Sequence, residues 1–322
     1  MNNTNPRVSV IIPAYSAAKF VGPALNSVFA QTYRDYEVIV INDGSPDTAE
    51  LEEVLKPYEG KIKYIAQENR GISGARNTAI RAARGEFVAF LDADDIWEPN
   101  FLERQLAEME RRPELDVLYP NAIIFGDSVD AGKKFMDVCR SDGPVTFESL
   151  ITQRCNVMVS VLARRKTLID AGLFDEELRS VEDFDLWLRV IKQGGQIGYH
   201  RDVLTRYRRH GASLSADPVW MCQHVVRVLD KAAKTLPLDS SEQSLIETQR
   251  AHFYAMLSLQ EGKRAFFKGD KEVAVSKLTE ANRFFRSKKI SATVWLLRRM
   301  PRALLFAYDL RDKLILRAST KH

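Results

Sequence analysis

Three carboxylates fall within four residues at Asp92-Ala93-Asp94-Asp95, directly after the apolar run Phe87-Val88-Ala89-Phe90-Leu91. Like charges this close repel, and their burial is costly unless a cation or hydrogen-bond donors compensate. A hard divalent ion such as Mg2+ or Mn2+, shared between carboxylate and phosphate oxygens, is one such compensation. An acidic turn capping a helix that starts near Pro99 is the plain alternative. Asn42-Asp43-Gly44-Ser45 is a good turn in its own right. Placed beyond a parallel strand, its Asp43 can accept the imide N–H of uracil or thymine, or bind a ribose. Tyr15, in a neighbouring loop, suits packing against a base or a place on the rim. In Asn69-Arg70-Gly71-Ile72-Ser73-Gly74-Ala75-Arg76-Asn77, Gly71 and Gly74 allow close backbone approach. A helix starting near Ser73 then directs its amides, with Arg76 and Asn77 in its first turn, at a ligand. The loop has neither a Gly-Lys-Ser/Thr nor a G-x-G-x-x-G signature, so ATPase and dinucleotide readings fall away.

Alternating strands and helices position these loops. Val8–Ile12, Tyr36–Ile41, Lys61–Ala66 and Glu86–Leu91 read as strands, and Ala18–Gln31, Thr48–Leu55 and Ser73–Ala83 as helices, with Asp47 and Glu50 placed for a capping box. Strands this continuously apolar indicate a mostly parallel, Rossmann-like sheet with helices on both faces, an α/β protein. In such sheets ligands bind beyond the carboxyl ends of the strands, where all four polar loops fall. Farther on, Val117–Tyr119, Ala122–Phe125 and Val203–Arg209 read as strands and Phe184–Lys192 as an amphipathic helix. From Pro218 the pattern is helical.

Composition sets the outer bounds. Among 322 residues, 45% hydrophobic and 28% charged, three scattered cysteines without a C-x-x-C pair argue against a disulfide framework or zinc knuckle and for a reducing compartment. No run approaches the roughly 18 apolar residues of a membrane span. Residues 218–322 carry 20 Lys and Arg against 10 Asp and Glu, whereas the rest carries 27 against 33. The acidic and basic parts are therefore expected to face different partners. Nucleic acid is not expected among them, since no binding fold accompanies the charge.

Ser9-Val10-Ile11-Ile12-Pro13-Ala14-Tyr15, Asn42-Asp43-Gly44-Ser45, Asn69-Arg70-Gly71 through Ala75-Arg76-Asn77, and Phe90-Leu91-Asp92-Ala93-Asp94-Asp95 resemble the successive motifs of family 2 glycosyltransferases over about residues 7–215. The resemblance implies the GT-A nucleotide-diphospho-sugar transferase fold and inverting transfer of a sugar from a nucleotide donor. It implies that Pro13, Ala14, Tyr15, Asp43 and Arg76 hold the base, Asp92 the ribose, and Asp94, with Asp92 and His210, a Mg2+ or Mn2+ ion. Asp95 is then a spare carboxylate that caps the next helix. Val181-Glu182-Asp183-Phe184-Asp185-Leu186-Trp187 resembles the family's segment bearing the general base, assigned here to Asp183, with Glu182 and Asp185 as rivals and Trp187 as packing or acceptor-pocket lining. Arg206 through Ser213 resembles the family's closing R-x-H-x-x-S element, in which His210 touches the diphosphate or the metal or is simply structural. The Q-x-x-R-W motif of processive members is absent, which implies one sugar, or a few, per encounter. A nucleotidyltransferase or a non-catalytic sugar-nucleotide binder is the alternative, although the place of a nucleotidyltransferase's glycine-rich loop is taken by Pro13 through Lys19.

The expected organisation is a catalytic domain at 1–216 and a basic, all-helical C-terminal extension at 217–322. In the extension, Ala255–Phe285 has small residues spaced like one tetratricopeptide hairpin. Residues 294–317 interleave Trp295, Leu296 and Leu297 with Arg298 and Arg299, which suits a peripheral contact with an anionic membrane from the cytoplasm. A glycan or lipid-linked acceptor would make such a contact useful.

Overall fold

The computed structural model describes residues 5–158, 160–211, 213 and 216–300. Strands β1 (Val8–Ala14), β2 (Tyr36–Asp43), β3 (Lys63–Gln67) and β4 (Phe87–Phe90) alternate with helices α1 (Ala18–Phe29), α2 (Thr48–Leu55) and α3 (Gly71–Ala82). There follow β5 (Ile96–Trp97), α4 (Phe101–Arg111), β6 (Val117–Gly126), the short α5 (Phe135–Val138) and α6 (Phe147–Ile151), β7 (Leu162–Arg164), α7 (Arg165–Asp170), α8 (Glu182–Lys192) and β8 (Ile197–Arg209). The eight strands form one sheet in the order β3-β2-β1-β4-β7-β6-β8-β5. Its first four strands run parallel, β7 is antiparallel to both its neighbours, and β6 and β8 are again parallel. Two antiparallel steps through β7 restore the direction of β4 in β6 and β8. The ends of β1, β2, β3, β4 and β8 therefore share one edge.

Alternation along β1 explains why this half of the sheet is sandwiched. Val8, Val10 and Ile12 join Val21, Leu25, Val28, Leu51, Phe101 and Leu106 in one core cluster. Ile11, Ile39 and Ile41 point to the other face by the two-residue period of a strand and are fully buried there, with α3 running against β1 and β2. Each such side chain contributes roughly 1.5–3 kcal/mol through its removal from water.

Three local expectations are corrected. Asp47 does not form a capping box with Glu50. Its Oδ2 accepts the Ala18 N–H at 2.9 Å, because α1 begins behind Ala17, which has no side-chain acceptor, and a neighbouring loop supplies one. Asp95 does not cap α4; it is buried and accepts the Arg208 N–H at 2.7 Å. The two strand pieces at 117–125 are one strand, with a register irregularity at Asn121 whose Oδ1 accepts from Ala122 and Met136 N–H groups.

Helices α9 (Pro218–Thr235), α10 (Ser240–Phe267), α11 (Lys271–Phe285) and α12 (Lys288–Arg299) complete the chain described. It divides into two compact units, one holding residues up to Ala216 together with Lys231–Leu245, the other Asp217–Asp230 with Ile246 onward. In the second unit Gly262 of α10 abuts Leu278 of α11, where a Cβ would lie 2.8 Å from Leu278 Cγ. Ala265, Phe266, Ala274, Leu278, Val294 and Leu297 close its core. Of the stretch 294–317, only 294–300 is described; there Trp295 and Met300 are exposed beside Arg298 and Arg299, and the remainder lies outside the described residues. No helix among the described residues is long and apolar enough to cross a membrane.

Candidate active site

The loops after β1, β2 and β3 are tied together by their own polar groups. Ser45 Oγ accepts the Ser16 N–H at 2.7 Å, and Asn42 donates to Thr48 and Tyr64 while its Oδ1 accepts the Ser45 N–H. Gly44 has φ +63, and a Cβ there would fall 2.7 Å from the Asn69 nitrogen, so only glycine allows the second and third loops to approach this closely. Asp43 is buried, and its Oδ1 accepts both the Gln67 side-chain amide at 2.6 Å and the Arg70 N–H at 2.9 Å. Both described bonds use Oδ1, and none is described to Oδ2. Pro13 and Ala14 end β1 beside Ile41 and Asn42, and Tyr15 just beyond them is 55% exposed.

Helix α3 does more than present its N-terminus. Ser73, Arg76 and Asn77 lie on one face by their i, i+3, i+4 spacing, and all three reach the segment that precedes α8. Ser73 Oγ donates to the Leu178 carbonyl at 3.1 Å, Asn77 exchanges bonds with both the N–H and carbonyl of Phe174 at 2.9 Å, and Arg76 ion-pairs with Glu182. The other arm of Arg76 holds Asp92 Oδ1 at 2.8 Å, and its guanidinium lies over the Phe174 ring. Arg76 begins the second turn of the helix and is buried. Burial works against its charge, yet Asp92 and Glu182 outweigh it and raise its pKa further. Arg76 is therefore engaged by two carboxylates, with its Nε buried and unpartnered, and does not stand free to read a base.

At the end of β4 the three aspartates occupy different environments. Asp92 is partly exposed and paired to Arg76. Asp94 lies 3.2 Å from Nε2 of His210, and burial together with the charge of Asp92 raises its pKa, the His210 contact opposing. Asp95 is raised further by burial and by its two neighbours, against the Arg208 N–H. Arg208 Nε donates to the Asp94 backbone carbonyl at 2.7 Å, and its guanidinium lies over the Phe20 and Phe125 rings. His210 stacks on the same Phe20 at 5.3 Å and is held in a turn with Ser213. Sequence reasoning included Arg208 in the closing R-x-H-x-x-S element without giving it a role, and missed Phe20; Arg208 stands two residues before His210, near the end of β8, and Phe20 offers no local signal.

The second acidic group opens α8. Val181 precedes it at φ +61, a left-handed conformation costing a β-branched residue about 1–3 kcal/mol. Glu182 is buried against Arg76. Asp183 is partly exposed, accepts the Phe184 N–H at 2.8 Å, and is pushed up to about 7 by burial and then by the Glu182 charge, with Arg76 opposing. Asp185 is sequestered by Lys231 at 2.8 Å and Arg189 at 2.8 Å. Trp187 is fully buried with its indole N–H unpartnered, and so packs in the core. The structure thus brings Asp92, Glu182 and Arg76 into one network and Asp94 and His210 into another. It takes Asp185 and Trp187 out of solvent.

Among the described residues no three His, Cys, Asp or Glu side chains converge to close a metal site on their own. The donor set at Asp94 nevertheless suits a hard cation. A carboxylate made less acidic by a neighbouring carboxylate gains from a cation, and Mg2+ or Mn2+ ordinarily takes one or two protein carboxylates and completes its shell with water and phosphate oxygens.

Residues 9–159 match the model described as glycosyl transferase family 2. The chain is 31% identical over 215 residues to the Escherichia coli UDP-Glc:alpha-D-GlcNAc-diphosphoundecaprenol beta-1,3-glucosyltransferase WfgD, covering 65% of this chain and 80% of that protein. It spans 30–35% of the length of three Rickettsia proteins described as uncharacterized glycosyltransferases. In structure it is similar to Staphylococcus aureus TarS 1-349 in complex with UDP-GlcNAc, with TM-score 0.62, 20% identity, and 91% of this chain and 87% of that one covered. The Pyrobaculum calidifontis mannosyltransferase PcManGT in complex with GDP-Man and Mn2+ gives TM-score 0.60 at 18% identity over 95% and 88% of the two chains. These likenesses establish the GT-A fold for the sheet and its flanking helices.

Proposed function

The chain belongs to the family 2 glycosyltransferases, and from that premise we propose that it transfers a single sugar, with inversion, from a uridine diphosphate sugar to a hydroxyl of a glycan or lipid-linked acceptor. The observation that carries this reading is Arg76, which binds Asp92 at the donor end and Glu182 beside the candidate base with one guanidinium. Asp92 is assigned to the ribose hydroxyls, and Oδ2 of Asp43 to the imide N–H of uracil, with Pro13, Ala14 and Tyr15 along the base. Asp183 takes the proton of the acceptor hydroxyl as that oxygen bonds to the anomeric carbon and the carbon–diphosphate bond breaks on the opposite side. A carboxylate pushed up to about 7 is a stronger base than an ordinary aspartate and is still largely ionised slightly above neutrality. The leaving diphosphate gathers negative charge, which Arg208 near the end of β8 would help to meet. A divalent cation, Mg2+ or Mn2+, would be held by Asp94, with Asp92 and His210 as further ligands, and would supply counter-charge to the diphosphate.

A lipid-linked acceptor accords with the name of WfgD, a glucosyltransferase acting on a diphosphoundecaprenol-linked sugar, and with Trp295, Arg298 and Arg299 on α12, which suit an anionic membrane surface approached from the cytoplasm. The division into a catalytic domain at 1–216 and a helical region from 217 belongs to the same proposal. Thermal-shift measurements with UDP-Glc, UDP-GlcNAc and GDP-Man, each with Mg2+, Mn2+ or EDTA, test the donor. Stabilisation by a UDP-sugar that EDTA abolishes is expected, whereas a response to GDP-Man alone overturns the uracil assignment. NMR of the first product formed reads the anomeric configuration.

A further inference from the structure

Helix α8 starts without a side-chain cap and behind a strained Val181, so its first turn needs another restraint. The bond from the Phe184 N–H to Asp183 is local and does not fix the carboxylate relative to the donor end. Ser73 and Asn77 anchor the approaching segment at Leu178 and Phe174, four or more residues short of the base. Among the described ion pairs, Glu182 is the member of that turn that reaches Arg76, buried to buried, and Arg76 in turn reaches Asp92. We propose that Glu182 is a positioning residue for the transfer step: through Arg76 it sets the first turn of α8, and hence Asp183, from the same guanidinium that holds the ribose carboxylate. The inference rests on the reading of Asp183 as base. Glu182 touches no reacting atom. Its removal should disturb the step that uses Asp183 and spare the binding that uses Asp43 and Asp92.

The experiment compares Glu182→Gln, Glu182→Asp and Asp183→Asn with wild type in the hydrolysis of UDP-GlcNAc and UDP-Glc, read as UDP released, from pH 5 to 9. The charged groups facing Asp183 are Glu182 on its own helix, Arg76 on α3 and Asp92 beyond β4. Loss of the Glu182 charge should move the acid limb of kcat to lower pH. Glu182→Gln is expected to lower kcat about 30-fold with the donor KM within about twofold, while Glu182→Asp keeps the limb in place and recovers part of kcat. Wild-type kcat in Glu182→Gln, or a rise in KM with an unmoved limb, overturns the proposal. If Asp183→Asn hydrolyses at the wild-type rate, the base assignment has failed; if it is inactive while Glu182→Gln is unaffected, only the role of Glu182 falls. Carboxyl 13C NMR titration, assigned with Asp183→Asn, reads the same shift without turnover. An Asp183 midpoint that Glu182→Gln leaves in place likewise overturns the proposal, and the thermal midpoint of each variant reports its folding.

Discussion

Asp92, Asp94 and Asp95 beyond β4 and Glu182, Asp183 and Asp185 at the start of α8 are two carboxylate triplets distributed over the same three environments. In each, the first member is ion-paired to Arg76. The second is less acidic than an ordinary aspartate because burial and an adjacent carboxylate act together. The third is buried against the body of the protein, Asp95 on the Arg208 N–H and Asp185 on Lys231 and Arg189. The difference lies in what compensates the second member. Asp94 has His210 beside it, while the hydrogen bond described for Asp183 comes from the Phe184 N–H of its own helix, with the Arg76 charge opposing its rise from farther off. A carboxylate with a side-chain cation beside it suits the holding of charge, and one whose raised value prevails over the opposing Arg76 suits the taking of a proton.

The sharpest way to break this pairing is Asp183→Asn. Loss of a general base lowers turnover by about 10²–10⁴-fold, and a value near 10³ is expected for UDP release from the donor. Asp185→Asn should keep turnover within about threefold, because its carboxylate is already spent on Lys231 and Arg189. Equal losses in the two variants would abolish the distinction between second and third members.

Arg76→Met tests whether one guanidinium truly serves both triplets. It strands Asp92 and Glu182 without their shared cation, and removal of one partner from a buried ionic network costs about 3–5 kcal/mol. Urea unfolding should show that loss. A loss below about 1 kcal/mol would mean that the triplets are independent.

That network marks where sequence reasoning stops. The strands up to Leu91 and their loops were legible because continuous apolar runs and polar strand ends are local signals, and Asp43, Asp92 and Asp94 stand at those ends, whereas Asp183, in the first turn of a helix, was named only through the resemblance of its segment to the family's. The link between the triplets was not legible, since the partners of Arg76 stand 16 and 106 residues away and no periodicity announces them. Asp47 illustrates the same limit. Its spacing to Glu50 was right for a cap, but Ala17 left a helix elsewhere with the greater need. Strands β5 and β7, two and three residues long, carry too little pattern to be found at all.

The raised Asp183 also has a consequence for folding. Its folded-state value of about 7 exceeds the ordinary aspartate value near 4, so the unfolded chain releases this proton first as pH rises. Its contribution is fully present below about pH 4 and is lost as pH climbs through 7. Asp183→Asn, which has no proton to release, should therefore match wild type at pH 4 and exceed it by about 2 kcal/mol at pH 8.5, after discounting for the partial exposure of the carboxylate. Denaturant midpoints at the two pH values read the difference. A variant less stable at pH 8.5 than wild type would place Asp183 among the structural members.

The smallest effect is expected at Asp95, and it separates the two third members from each other. Asp185→Asn leaves Lys231 and Arg189 facing an uncharged amide, a loss of about 2–3 kcal/mol. At Asp95 the described partner is a backbone N–H, which an amide oxygen also accepts, and the carboxylate is already disfavoured by burial and by Asp94 and Asp92. Asp95→Asn replaces a charge the site resists with an isosteric neutral acceptor. Its stability should stay within about 1 kcal/mol of wild type and its relative stability should improve as pH rises. A loss as large as that of Asp185→Asn would show that the negative charge of Asp95 is needed beside Arg208, which would make the Asp94–Arg208 end of the site an ionic assembly like the one around Lys231.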